Sequence, residues 1–259
     1  MTDILSEDRR ARYPSLIGQR VLITGGGSGI GAGFVEGFAR QGAAVTFFDI
    51  AEADSRALIA RLADAPIPPR FEHADITDIP AVQALIARLI AEDGAFDVLF
   101  NNAANDDRHA VADVTEAYWD DRMAVNLKHL FFCAQAVAPG MRARGGGAII
   151  NMGSVSWHLA LPNIVLYQTA KAAIEGLTRS LARDLGGDGV RVTCIIPGWV
   201  RTPRQLKWHS DEAEAELLAA QCLKNRLDPP DVAALAMFLA SDDARLITAH
   251  SYFVDAGWR

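Results

Sequence analysis

Seven short runs of this chain are rich in apolar, β-branched or aromatic residues. They are RVLIT at 20–24, AVTFFD at 44–49, RFEHAD at 70–75, DVLFNNA at 97–103, GAIINM at 147–152, VRVTCIIP at 190–197 and SYFVDAG at 251–257. Most lack the alternation of a strand with one wet face, so they predict strands buried on both faces. Between them lie stretches such as IGAGFVEGFARQG at 30–42 and AVQALIARLIAEDG at 81–94. Their apolar residues recur at i, i+3 and i+4, and each ends at glycine, a helix stop signal. Strand–helix alternation at this spacing predicts βαβ units around a parallel sheet.

Composition narrows this picture only a little. The 259 residues are 50% hydrophobic and 22% charged, an ordinary globular balance in a chain long enough for one large domain. A net charge of −7 leaves no basic face for nucleic acid. Arg9, Arg10 and Arg12 read as a solvated arm, residues 1–17, ahead of a domain spanning 18–259. Cys133, Cys194 and Cys222 stand far apart, which suggests neither a disulfide framework nor a zinc site. The six histidines show no metal-binding spacing. No run approaches the roughly 20 apolar residues of a membrane span, and MTDILSEDRRARYPSL has no apolar core for a signal peptide. The expectation is a cytoplasmic protein that needs neither metal nor membrane.

Two places carry candidate chemistry. In RVLITGGGSGIGAGFVEGFARQG a strand, a glycine turn and a helix follow one another, with Gly25, Gly29 and Gly31 spaced as TGxxxGxG. Glycine permits a sharp turn and close approach of a ligand, and the helix start offers free N–H groups to a pyrophosphate. Asp49 ends the next predicted strand, eighteen residues after Gly31. A carboxylate there can accept both hydroxyls of an adenosine ribose and repels a 2′-phosphate, which favours NAD over NADP. The second place is SVSWHLALPNIVLYQTAKAA at 154–173. Tyr167 and Lys171 lie one helical turn apart and share a face. An ammonium near a phenol favours the phenolate, so the expectation is a lowered Tyr167 pKa and a proton acceptor for a substrate hydroxyl. Ser154 follows a predicted strand, at the sheet edge where such folds bind ligands, and can hold the substrate oxygen.

The order TGGGSGIG at 24–31, Asp75, NNAA at 101–104, Asn126, Ser154, YQTAK at 167–171 and PGWVRT at 197–202 resembles the short-chain dehydrogenase/reductase family over nearly the whole chain. The resemblance implies a single-domain α/β Rossmann fold, a doubly wound, mostly parallel seven-stranded sheet with helices on both faces. It makes Tyr167 the general base and Lys171 the residue that holds the nicotinamide ribose. It gives Ser154 the substrate oxygen and Asn126 a water in a proton relay. Ser28 and Ile30 join the glycines of the phosphate turn, and Ile50 stands beside Asp49. Asp75 and Ile76 line the adenine. Asn102, Ala103 and Ala104 take the ribose side, and Pro197, Gly198, Val200 and Thr202 the nicotinamide side. Where the family usually has NNAG, Ala104 replaces glycine, which predicts an adjusted backbone if φ must be positive there. Helices around 115–140 and 165–186 resemble those that pair between subunits, which implies a homotetramer.

NDDRH at 105–109, SVSWHL at 154–159, AAQCLK at 219–224 and the terminal DAGWR resemble the family's bacterial NAD-dependent aldose 1-dehydrogenases, those acting on D-xylose foremost. The implied reaction is oxidation of the anomeric C1 hydroxyl to a lactone. L-arabinose, D-galactose and L-fucose are alternative sugars, and a non-sugar alcohol or ketone is a further one. A pyranose needs an aromatic platform and a few polar groups. Trp157 is the candidate platform, with His158, Asn105, Gln205 and Trp199 as further contacts. Residues 199–225, including Trp208 and His209, are the expected substrate lid. A non-catalytic NAD-binding regulator and a reductase of steroids or acyl chains are the competing readings.

Overall fold

The computed structural model describes residues 11–208 and 210–258, and side chains other than those of residues 207–208. Arg9, Arg10 and His209, and the side chain of Trp208, lie outside the described residues. All seven expected strands form. They are β1 (Arg20–Thr24), β2 (Ala44–Asp49), β3 (Arg70–His73), β4 (Val98–Asn101), β5 (Gly147–Met152), β6 (Val190–Pro197) and β7 (Ser251–Val254). They make one sheet in the order β3-β2-β1-β4-β5-β6-β7. Every pairing is parallel, so the expected "mostly parallel" sheet is wholly so.

The continuous apolar runs are explained by the two-sided burial. Side chains alternate faces along a strand. Val21 and Ile23 enter one core with Val45, Phe47, Val98, Phe100 and Ile150, while Leu22 enters another with Phe48, Leu99 and Ile149. The first face is covered by α1 (Gly29–Arg40), α2 (Glu52–Arg61) and α8 (Pro229–Ala240) through Phe34, Phe38, Leu58, Val232 and Met237. The second is covered by α3 (Ile79–Asp93), α5 (His129–Ala143) and α6 (Val165–Leu185) through Ile86, Val137 and Leu181. A strand with a polar face could not serve both layers.

Residues 11–17 are docked at their described end. Leu16 is fully buried, and Gln41 at the end of α1 accepts from the Tyr13 N–H and donates to the Ala11 carbonyl. Two short helices complete the set, α4 (Glu116–Met123) and α7 (Asp211–Ala220). Between α4 and α5 the chain widens into a π-helical turn, Ala124–Lys128, with Asn126 buried at its centre. Such turns recur at functional sites because the extra residue re-aims a side chain.

Candidate active site

A cavity of about 570 Å³ opens along the carboxyl ends of β1, β2, β4, β5 and β6. It spans the point where strand order reverses between β1 and β4, the usual ligand crevice of an open parallel sheet. One end is built by the glycine turn. Gly25 has φ of +67°, and a Cβ on Gly31 would stand 1.9 Å from the Gly25 carbonyl oxygen. The turn is bolted to β4, since the Thr24 hydroxyl accepts from the N–H groups of Asn102 and Ala103. The Asn102 amide donates to the Thr24 and Gly25 carbonyls at 3.1 and 2.7 Å. No side chain caps the start of α1, so its first N–H groups stay available at the cavity wall.

Asp49 closes that end. Its two oxygens accept from the Gly27 and Ala51 N–H groups, both at 2.8 Å. Each oxygen keeps a lone pair for a ligand. Ile50, Asp75 and Ile76 line the wall beyond it. Ala104 does not take a positive φ, so alanine at the family's glycine position brings no strain. Side-chain-free space at the turn, an uncapped helix start and a fixed carboxylate suit a dinucleotide. Every residue expected to contact that cofactor lines this one cavity.

The candidate reacting groups stand in the middle. Ser154 starts the turn after β5, where its hydroxyl accepts from the Ser156 N–H and donates to the Ser156 hydroxyl. Tyr167 and Lys171 project together from α6. The Lys171 ammonium donates to the Met152 carbonyl at 2.7 Å and lies 5.3 Å from the centre of the Tyr167 ring. Burial brings Lys171 down to about 8. Burial also pushes the Tyr167 phenol above its ordinary value, and the Asp106 carboxylate adds to that. A Ser154 hydrogen bond and the charges of Arg204 and Arg108 pull the other way. The lowered phenol expected from Lys171 is therefore not found, because desolvation outweighs the favourable charges. Asn126 clasps the next loop, accepting from the Asn105 N–H at 2.8 Å and donating to the Asn105 carbonyl at 3.0 Å.

The other end differs from expectation. Asn105, Trp199 and Gln205 line it, but Trp157 and His158 do not. Both turn instead to Glu175 on α6, whose Oε1 accepts from Trp157 Nε1 at 2.7 Å and lies 3.0 Å from His158 Nε2. Their rings stack at 3.8 Å, and His158 meets Phe253 of β7. A buried indole N–H needs an acceptor, and Glu175 supplies it away from the cavity. Residues not singled out from the sequence take their place, namely Asp106, Arg108, Leu161, Ile164, Arg204 and Trp258. Asp106 and Arg108 lie within NDDRH and Trp258 within DAGWR, so a signal existed at the level of the motif. The indole N–H of Trp199 is buried with no acceptor among the described residues, and Arg226 stacks over its ring at 5.1 Å.

The family model described as enoyl-(acyl carrier protein) reductase matches residues 25–259. The chain belongs to the short-chain dehydrogenase/reductase family. It is therefore an oxidoreductase of a fold that binds a nicotinamide cofactor. It is 63% identical to D-xylose 1-dehydrogenase of Caulobacter vibrioides, over 96% of this chain and 99% of that one. It is 47% identical to a probable galactose dehydrogenase of Rhizobium meliloti, over 95% and 97% of the two chains. L-sorbose reductase from Gluconobacter frateurii, solved with NADPH and L-sorbose, superposes with a TM-score of 0.88 at 26% identity, covering 95% and 98%. Among the described residues no helix is long and apolar enough to cross a membrane, and no cluster of side chains could hold a metal.

Proposed function

We propose that this protein is an NAD-dependent aldose 1-dehydrogenase that oxidises the anomeric C1 hydroxyl of a cyclic aldose, D-xylose first, to the lactone. The observation that carries this reading is the polar end of the cavity, where Asn105, Asp106, Arg204 and Gln205 gather beside Ser154 and Tyr167. An acyl or steroid substrate would set an apolar body against this surface and leave its open acceptor positions unfilled. The similarity to D-xylose 1-dehydrogenase supports the same choice.

Ser154 and Tyr167 hold the C1 oxygen, and ionised Tyr167 takes its proton as the C1–H bond breaks. A nicotinamide, when bound, would supply the hydride acceptor for C1. Lys171 places a positive charge under the phenol ring and carries the ribose contact. Asn126 fixes the Asn105 backbone and keeps one N–H and one lone pair for a proton relay. Asp49, Gly25, Ser28, Gly29, Ile30 and Gly31 would hold the adenosine and pyrophosphate. Thr202 and Val200 take the carboxamide.

NAD rather than NADP follows from charge. The cations lining the cavity are committed elsewhere, Lys171 to Met152, Arg108 to Pro162 and Arg204 to the loop at 105–107. None of these three bonds to the segment after β2, so none is placed to offset the repulsion between Asp49 and a 2′-phosphate. We read the protein as a homotetramer, and its unpaired cysteines as fitting the reducing cytoplasm.

The test is kcat/KM for xylose, arabinose, galactose and fucose beside a panel of ketones and secondary alcohols, with each cofactor. An aldose and NAD should lead, and Asp49→Ala should narrow the cofactor preference. A leading apolar alcohol would remove the sugar and leave the dehydrogenase. Equal use of both cofactors by the unmodified protein would remove the NAD assignment.

A further inference from the structure

Among the described residues Asp106 is the one carboxylate lining the cavity near the candidate reacting groups, and its side chain is only 19% exposed. Its Oδ1 accepts from Arg204 Nε at 2.5 Å, and its Oδ2 accepts from Gln205 Nε2 at 2.9 Å. A carboxylate has about four acceptor positions, so one on each oxygen stays open. Arg204 also donates to Asn105 Oδ1 at 2.7 Å and to Asp107 Oδ1 at 2.8 Å. One guanidinium thus spans three consecutive side chains. The loop it grips is the one Asn126 clasps from the π-helical turn. A continuous chain of bonds therefore runs from the core to the segment after β6. Its outer links are soft, because Arg204 and Asp107 are 44% and 55% exposed, and exposed ion pairs contribute little.

We propose that Asp106 is a specificity-determining residue, whose carboxylate accepts a hydrogen bond from a sugar hydroxyl other than the anomeric one and, through Arg204 and Gln205, fixes the segment after β6 over the bound sugar. This rests on the sugar reading and deepens it. A desolvated carboxylate selects for donors. A polyhydroxy substrate completes its acceptor positions, and an apolar alcohol leaves them empty, which is the kind of mismatch a hydrogen-bonding site rejects most strongly. The same charge acts on the base. Around Tyr167 stand Asp106 and Arg108 from the loop after β4, Arg204 from the segment after β6, Ser154 from the turn after β5, and Lys171 from its own helix. Asp106 opposes ionisation of the phenol, and Arg204 favours it.

The test compares Asp106→Asn and Arg204→Gln with the unmodified enzyme on two probes. One is D-xylose. The other is 2-hydroxytetrahydropyran, which keeps the anomeric hydroxyl and lacks the others. At one fixed pH, Asp106→Asn should raise KM for xylose about 10- to 100-fold, the size of one lost bond to a charged group. It should leave KM for the hydroxyl-poor probe within about twofold. The acid limb of the kcat/KM profile should move to lower pH in Asp106→Asn and to higher pH in Arg204→Gln. Damage to the fold would lower both probes together and would not shift the two variants in opposite senses. Equal losses on both probes, or a xylose KM within twofold of the unmodified value, overturns the assignment. If the unmodified enzyme oxidises no aldose, the sugar reading itself fails, and that result is distinct because it precedes any substitution.

Discussion

Burial acts in opposite senses on the two titratable groups of α6, raising the Tyr167 phenol and bringing the Lys171 ammonium from 10.5 down to about 8. For the phenol, the base form is the scarce one, so kcat/KM should rise with pH through the neutral and alkaline range. Tyr167→Phe should lower kcat by about 10²–10⁴-fold while cofactor binding, followed by fluorescence titration, persists. For the ammonium, the unfolded chain holds its proton more tightly than the folded one. The resulting destabilisation is therefore full below about pH 8 and is relieved as pH rises toward 10.5. It amounts to about 3 kcal/mol, of which losing the bond to Met152 would return about 1–2. Lys171→Met should thus be inactive yet more stable at pH 7 by about 1–2 kcal/mol. The gain in Tm should shrink toward pH 10 in a thermal melt. A variant that melted lower at pH 7 would show that the Met152 bond outweighs desolvation. At this scale the sequence exposed Tyr167 and Lys171 through helical spacing and Ser154 through its place after a strand. It misjudged the phenol because desolvation depends on what surrounds α6.

At the scale of elements, the phosphate turn shows the tightest coupling between local sequence and site. Gly31 belongs to α1, but the space its missing side chain leaves is the carbonyl of Gly25 and the amide of Asn102. Gly31→Ala must push the turn away from β4. We expect a loss of stability of about 1–3 kcal/mol, as for other overpacked sites, and at least a tenfold weaker cofactor, read by denaturant melts and by titration. An unchanged affinity would place the pyrophosphate elsewhere. The seven strands and the long helices were legible because two-sided burial leaves an unmistakable run of apolar residues. The π-helical turn at Ala124–Lys128 was not legible, since one extra residue in a helical turn leaves no trace in composition. The direction of Trp157 and His158 was not legible either. An aromatic pair beside a candidate catalytic serine fits a sugar platform as well as it fits a buried acceptor, and only Glu175, a full helix turn beyond Lys171, decides between them.

For the whole molecule, α4, α5 and α6 present large apolar side chains to solvent in a single chain. Trp119, Phe131 and Val165 are 41–44% exposed. Scattered exposed apolar residues are ordinary, but these fall on the helices that the family resemblance assigns to subunit pairing. Light scattering should give a mass near four times the chain's 27.9 kDa, and Phe131→Glu should lower it. A mass near that of one chain at assay concentration would refute the tetramer. The sequence alone determined the layered parallel fold and picked out the glycine turn and Ser154, Tyr167 and Lys171 as candidates. Each of these follows from a period or a spacing within a few tens of residues, and short-range geometry is what a sequence encodes most directly. Only the tertiary structure decided what lines the far end of the cavity. Asp106 and Arg204 are 98 positions apart, and their contact exists because β4 and β6 flank β5 in one sheet and deliver their loops to the same edge.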